Sequence, residues 1–182
     1  MFELFSTKGA WAKTIVLGTA LFVFGGCGKM GPSSASGGNE HELVGATAPS
    51  FELPAQAGGS KASLSEGSGK VTIVDFWATW CEPCEDSFPH YQKMLEQHAG
   101  ELVIVGVSED DKPDGIAAFA KKTGAKFPLG WDDGKSVSAQ YHPPSMPTSY
   151  MIDRSGIVRY VHVGFHKGDQ DEIEANVSSL VK

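Results

Sequence analysis

Cysteine is scarce in this chain: Cys27, Cys81 and Cys84 are the three among 182 residues. A secreted domain held together by disulfides carries a more extended set, so covalent stapling is a weak account of the fold. Long apolar runs are missing too, and none approaches the roughly 20 residues that cross a bilayer. An excess of basic charge is absent: 15 Lys and Arg stand against 22 Asp and Glu, a net charge of -7. That balance argues against a nucleic-acid partner, whose binding face is normally basic. Histidine is sparse and scattered, at 6 residues. A closed zinc site needs four ligands, and no second cysteine pair supplies them; His162 and His166 fall around a predicted strand, which gives them no shared helical face. There is no internal repeat. What remains is a composition 41% hydrophobic, enough for one compact domain with appendages.

The N-terminus reads as an export signal. Lys8 and Lys13 precede the apolar run Thr14–Phe24, which is followed by Gly25, Gly26 and Cys27. The ending FGGC resembles a bacterial lipoprotein signal, in which the cysteine is lipidated and becomes the mature N-terminus. Phe24 in place of the usual leucine and the acidic Glu3 depart from that pattern. An uncleaved inserted helix and plain secretion are the alternatives. The expected organisation is a signal over residues 1–26, a lipidated Cys27 with a flexible tether over 27–42, and a folded domain over 43–182. The Gly-, Ser- and Pro-rich tether has a random-coil reach on the order of 20 Å.

Within the domain, short extended pieces are expected around Ser50–Leu53 and Lys61–Ser63, parted by a turn at Gly58–Gly59. Val71–Trp77 is β-branched and apolar almost throughout, as a strand buried on both faces should be. A helix should follow from Cys81 to His98, with Phe88, Tyr91, Met94 and Leu95 at helical spacing. Leu102–Ser108 reads as a second buried strand. Pro113–Gly124 opens on proline and closes on glycine, the asymmetry of a helix. A strand pair around the turn Asp153–Gly156 and a helix over Asp169–Val181 complete the chain. The alternation of strand and helix predicts an α/β sandwich whose sheet is parallel at first, with helices on both faces.

The stretch WCEPC, Trp80 to Cys84, opens three readings: a staple, a metal site, or electron exchange. Residues three apart on a helix have Cβ atoms about 5–6 Å apart, within modest adjustment of a disulfide. At a helix start, Cys81 would meet the positive end of the dipole, which favours the reactive thiolate. Cys84, one turn deeper, is shielded and placed to attack a mixed disulfide at Cys81, while Pro83 fixes the backbone between them. The spacing suits exchange best.

Together, VDFWATWCEPC and SMPTSYMID resemble the thioredoxin superfamily. The preface from Ala48 onward is similar to the extracytoplasmic, membrane-tethered thiol–disulfide oxidoreductases of the TlpA/ResA type. The resemblance runs from about Leu43 to the C-terminus. It implies a thioredoxin-like three-layer sandwich with a mixed central sheet, Cys81 as attacking and Cys84 as resolving cysteine. Asp75 matches the buried acid of thioredoxin, and a carboxyl sunk in an apolar strand has a raised pKa, suited to move the proton of Cys84. Relatives of the ResA type carry a glutamate in the helix after the cysteines; Ser87 stands there instead, which leaves Asp75 as the proton carrier. Pro147 matches the family's cis-proline, with the Met146 backbone pairing a substrate chain. Trp80, with Glu82 and Pro83, would rim the docking surface, and Trp77 would lie in the core. A peroxidase would place threonine three residues before the attacking cysteine, where Ala78 stands.

Glu82, with Glu85 and Asp86 behind it, sets negative charge beside the thiolate and predicts a reducing poise, nearer to the roughly -270 mV of thioredoxin than to the roughly -120 mV of DsbA. The expected function is therefore a tethered protein-disulfide reductase that uses no cofactor and acts as a monomer. Its clients would be disulfides such as those of apocytochrome c or copper-assembly factors, and a membrane thiol donor would recharge it. Oxidase or isomerase action on the same fold, and a non-enzymatic metallochaperone, are the alternatives. Gly28 after Cys27 is not the aspartate that retains lipoproteins at the inner membrane, so the membrane of destination stays open.

Overall fold

A computed structural model describes residues 41–182. Their strands are β1 (Glu52–Ala57), β2 (Lys61–Ser63), β3 (Val71–Trp77), β4 (Leu102–Ser108), β5 (Leu129–Trp131), β6 (Thr148–Ile152) and β7 (Val158–Val163). The helices are α1 (Glu82–Gln97), α2 (Ile116–Thr123), α3 (Ser138–Tyr141) and α4 (Asp169–Val181). One mixed sheet takes the order β2-β1-β5-β4-β3-β6-β7, the thioredoxin-like α/β fold.

The chirality of the crossovers decides where the helices go. β3 pairs β4 in parallel, and β4 pairs β5 in parallel. Both connections step the same way along the sheet, and right-handed crossovers then put α1 and α2 on one face. Ile73 and Trp77 of β3 meet Phe88 and Tyr91 of α1, Phe119 of α2 and Ile173 of α4 in one buried cluster. The opposite face holds Val74 and Phe76 under Tyr141 of α3 and Tyr150, closed by Leu43, Val44 and Phe51. Helices on both faces were expected. The second face carries short helical turns, α3 and a 3-10 turn over Leu64–Gly67, and the chain entering the domain covers the rest. Fully burying one side chain such as Phe88 is worth about 1.5–3 kcal/mol.

Two elements carry no signal in the sequence. β5 has three residues, too few for periodicity to register, and its pairing with β4 and antiparallel to β1 draws the β1–β2 hairpin into the main sheet. α3 is one turn long. The hairpin strand also begins two residues later and runs farther than expected, over Glu52–Ala57. Its turn falls where expected, with Gly58 at φ 76° in the left-handed region. His41 and Glu42, assigned to the tether in the sequence reading, make contacts: His41 Nε2 with the His142 carbonyl at 3.2 Å, and Glu42 with the His142 ring. Cys27, with the signal and the rest of the tether, lies outside the described residues. Among the described residues no helix is long and apolar enough to cross a membrane.

Candidate active site

The site forms where β3 ends and the chain turns into α1. Seven buried residues bring β3 up through the middle of the sheet, and a tight turn follows, closed by the Cys81 N–H on the Ala78 carbonyl at 3.1 Å. Cys81 is the residue before α1, with extended φ -86° and ψ 102°. The helix thus starts one residue later than expected. Pro83 sits in the first turn with Glu82 and Glu85, where proline costs no needed donor and carboxylates suit the positive end of the dipole. Cys84, Ser87, Phe88, Tyr91 and Met94 form the buried stripe that holds the helix to the sheet.

Cys81 and Cys84 are joined as a disulfide, with Cα atoms 5.3 Å apart. The two sulfurs differ in access: Cys81 is 5% exposed and Cys84 not at all. Only the first presents an edge to an incoming group. Trp80 stands out beside it at 68% exposure, and Glu82 and Pro83 are exposed as well. Trp77 is buried, its ring 4.9 Å from Phe88 and 4.5 Å from Phe119. Its indole lies over Gly106, where a Cβ would stand 2.9 Å from Trp77 Nε1, so β4 needs glycine at that point.

The Met146–Pro147 peptide is cis. β6 pairs β3 antiparallel with Phe76 opposite Thr148, which sets Pro147 beside Trp77, at the end of the sheet from which the cysteine turn departs. The Pro147 carbonyl accepts from the Gly164 N–H at 2.7 Å. The Met146 backbone has no backbone partner among the described residues. Next to it opens a groove of about 360 Å³ lined by Glu109, Lys135, Ala139, His142, Pro143 and Met146. Burial raises the Glu109 carboxyl above the usual range, with Lys135 opposing that rise.

Asp75 is fully buried in β3, on the face that carries Ile73, Trp77 and Cys84. Ser149 donates to its Oδ1 at 2.7 Å, while its Oδ2 has no partner. Burial pushes its pKa up to about 7, against the lowering effect of the Ser149 and Tyr91 hydroxyls. One donor is too little to hold a carboxylate charged in an apolar surround.

A second buried carboxylate was missed from the sequence. Asp110, just past β4, accepts from the Thr79 N–H at 3.1 Å, the Thr79 hydroxyl at 2.7 Å and the Ser108 hydroxyl at 2.7 Å. It clamps the turn that carries Trp80 and Cys81. Its own carbonyl accepts from Trp131 Nε1 at 2.8 Å and Lys135 Nζ at 3.0 Å. The signal for this role was a short acidic run after a buried strand, which reads equally well as a solvated loop. Among the described residues no cluster of three or more potential metal ligands occurs.

A thioredoxin-like fold with a Cys-Glu-Pro-Cys disulfide at the mouth of a helix, and a cis-proline at the same end of the sheet, defines a thiol–disulfide redox protein. The chain belongs to the AhpC/TSA family, whose profile matches residues 44–161. It is similar to the thioredoxin-like protein YneN of Bacillus subtilis, 36% identical over 123 residues, which span 66% of this chain and 71% of that one. The thiol-disulfide oxidoreductase ResA of Bacillus thuringiensis is 30% identical over 134 residues, 73% of this chain and 77% of that one. Among solved structures, a protein described as a thiol:disulfide interchange protein DsbE, from Chlorobium tepidum, superposes with a TM-score of 0.72. It is 34% identical, covering 76% of this chain and 98% of that one.

Proposed function

We propose that this protein reduces disulfides of client proteins outside the cytoplasm, tethered to a membrane through a lipid on Cys27. The observation that carries the reading is the unequal access of two linked sulfurs, Cys81 at 5% and Cys84 at 0% exposure. In the dithiol form the Cys81 thiolate attacks one sulfur of the client disulfide. A mixed disulfide forms, and the other client sulfur leaves as a thiolate. The Cys84 thiol gives its proton to the Asp75 carboxylate and attacks the Cys81 sulfur. The second client sulfur departs and takes the proton from Asp75. Two electrons and one proton have passed to the client, and the protein is left as the Cys81–Cys84 disulfide. A membrane thiol donor must return two electrons and one proton before the next cycle.

Several features support this order of events. Helix α1 points its positive end at Cys81, and Glu82 opposes part of that stabilisation, which keeps the dithiol a good reductant. The unpartnered Met146 backbone offers a client strand an edge to pair with, and Pro147 presents no N–H to compete near the sulfur. Trp80 supplies exposed aromatic surface for docking. The resemblance adds apocytochrome c and copper-assembly factors as client classes. Peroxide reduction fits poorly, because Ala78 stands three before Cys81 and the Thr79 hydroxyl is committed to Asp110 at 2.7 Å.

Trapping tests the reading. Cys84→Ser should stall at the mixed disulfide, so that pull-down under thiol-blocking conditions recovers clients linked to Cys81, while Cys81→Ser recovers none. A normally expressed Cys84→Ser protein with nothing attached would refute the reductase assignment.

A further inference from the structure

A fully buried acid that moves protons needs its own proton in a defined place. Two residues, Ser149 and Tyr91, provide this, and the spacing of the sequence does not reveal them. Ser149 lies directly opposite Asp75 on β6, and His162 of β7 lies opposite Ser149. Residues paired this way share a face of the sheet, here the face covered by α1. From that helix the Tyr91 hydroxyl comes within 2.5 Å of Ser149 Oγ. Tyr91 is 0% and Ser149 1% exposed, so neither hydroxyl can turn to water.

With Asp75 ionised, the direction of the bonds is fixed by proton count. Ser149 owns one hydroxyl proton, and it goes to Asp75 Oδ1 at 2.7 Å. Tyr91 must then donate to Ser149. Burial pushes the Tyr91 phenol well above its ordinary range, so this donor is never lost at working pH. With Asp75 ionised, Oδ1 is thus occupied by the Ser149 hydroxyl, and Oδ2, the oxygen without a partner, is the one open to an incoming proton.

We propose that Tyr91 and Ser149 are positioning residues for the resolving step: their one-way hydroxyl chain holds the Asp75 carboxyl so that Oδ2 alone gives and takes the proton. The inference rests on the reading of Asp75 as the proton carrier of Cys84. The titratable groups around Asp75 are Cys84 and Tyr91 on α1 and, one strand farther, His162 of β7 bonded to Asp169 of α4 at 3.2 Å. The neighbouring strand β4 offers only Gly106 at the paired position.

The test follows the Asp75 carboxyl by carbon NMR or difference infrared titration, alongside the pH profile of mixed-disulfide resolution with a peptide disulfide. Losing a hydrogen bond to a charged group should raise the Asp75 midpoint by roughly one to two pH units in Ser149→Ala. The resolution profile should move with it. Tyr91→Phe should shift both the same way by less, and Ser149→Thr, which keeps the hydroxyl, should restore the wild-type values. An unmoved Asp75 midpoint in Ser149→Ala and Tyr91→Phe overturns the positioning role alone; should Ser149→Ala fail to fold, Tyr91→Phe and Ser149→Thr decide. A wild-type resolution profile in Asp75→Asn overturns the carrier reading, and this inference with it.

Discussion

Asp75, inside β3, and Asp110, just past the neighbouring parallel strand β4, are buried, 0% and 5% exposed, and they have opposite surroundings. Asp110 is met by three donors from Thr79 and Ser108. Asp75 is met by one, and an oxygen is left over. A buried carboxyl saturated with donors can serve as a joint. One deprived of donors holds its proton to about pH 7 and can serve as a base only when a thiol needs it. The same side chain is thus architecture at Asp110 and, in the proposed mechanism, a proton carrier at Asp75, and the number of donors within reach makes the difference.

The contrast is most easily broken at Asp110. Asp110→Ala leaves the part-buried Thr79 N–H and the buried Ser108 hydroxyl without this partner, and should cost about 2–4 kcal/mol by urea denaturation. A neutral result would mean that the turn under Trp80 does not depend on its clamp. Asp75→Asn should act in the other direction. Asp75 titrates at about 7 when folded, against roughly 3.9 unfolded, so the folded state binds the extra proton. Stability conferred by that proton is full below pH of about 4 and is lost as pH rises to about 7. Removing the ionisable group should therefore stabilise the protein by roughly 2–4 kcal/mol at pH 8, and by almost nothing at pH 3.5. A gain independent of pH would show that the buried charge was never the cost.

The smallest expected effect lies outside both carboxylates. Glu82 is exposed at the helix start, where solvent and salt screen it. Glu82→Lys should raise the reduction potential by only about 10–30 mV against a glutathione couple, and the shift should shrink toward zero in 1 M salt. A shift as large at high salt as at low would assign the effect to packing.

The parts of this site legible in the sequence are those written in local spacing. Cys81 and Cys84 stand three apart after a β-branched strand, and Pro83 lies between them, so the disulfide could be anticipated with its helix. Trp77 is buried, as expected, and Trp80 is exposed, because they sit on opposite sides of the turn. Pro147 was found by resemblance, since no local pattern distinguishes a cis-proline from any other. β5 and α3 escaped because three and four residues are too short for a period to form. Asp110 escaped because its donor Thr79 lies 31 residues away.

By itself, then, the sequence determined which segments are buried and where two sulfurs meet a helix start, because periodicity and spacing act between near neighbours. The tertiary structure alone decided what each buried carboxyl touches. Ser149 reaches Asp75 across 74 residues and Tyr91 reaches Ser149 across 58. Such contacts depend on strand order and register, and hydrophobic patterning specifies that a face is covered without specifying which residue covers it.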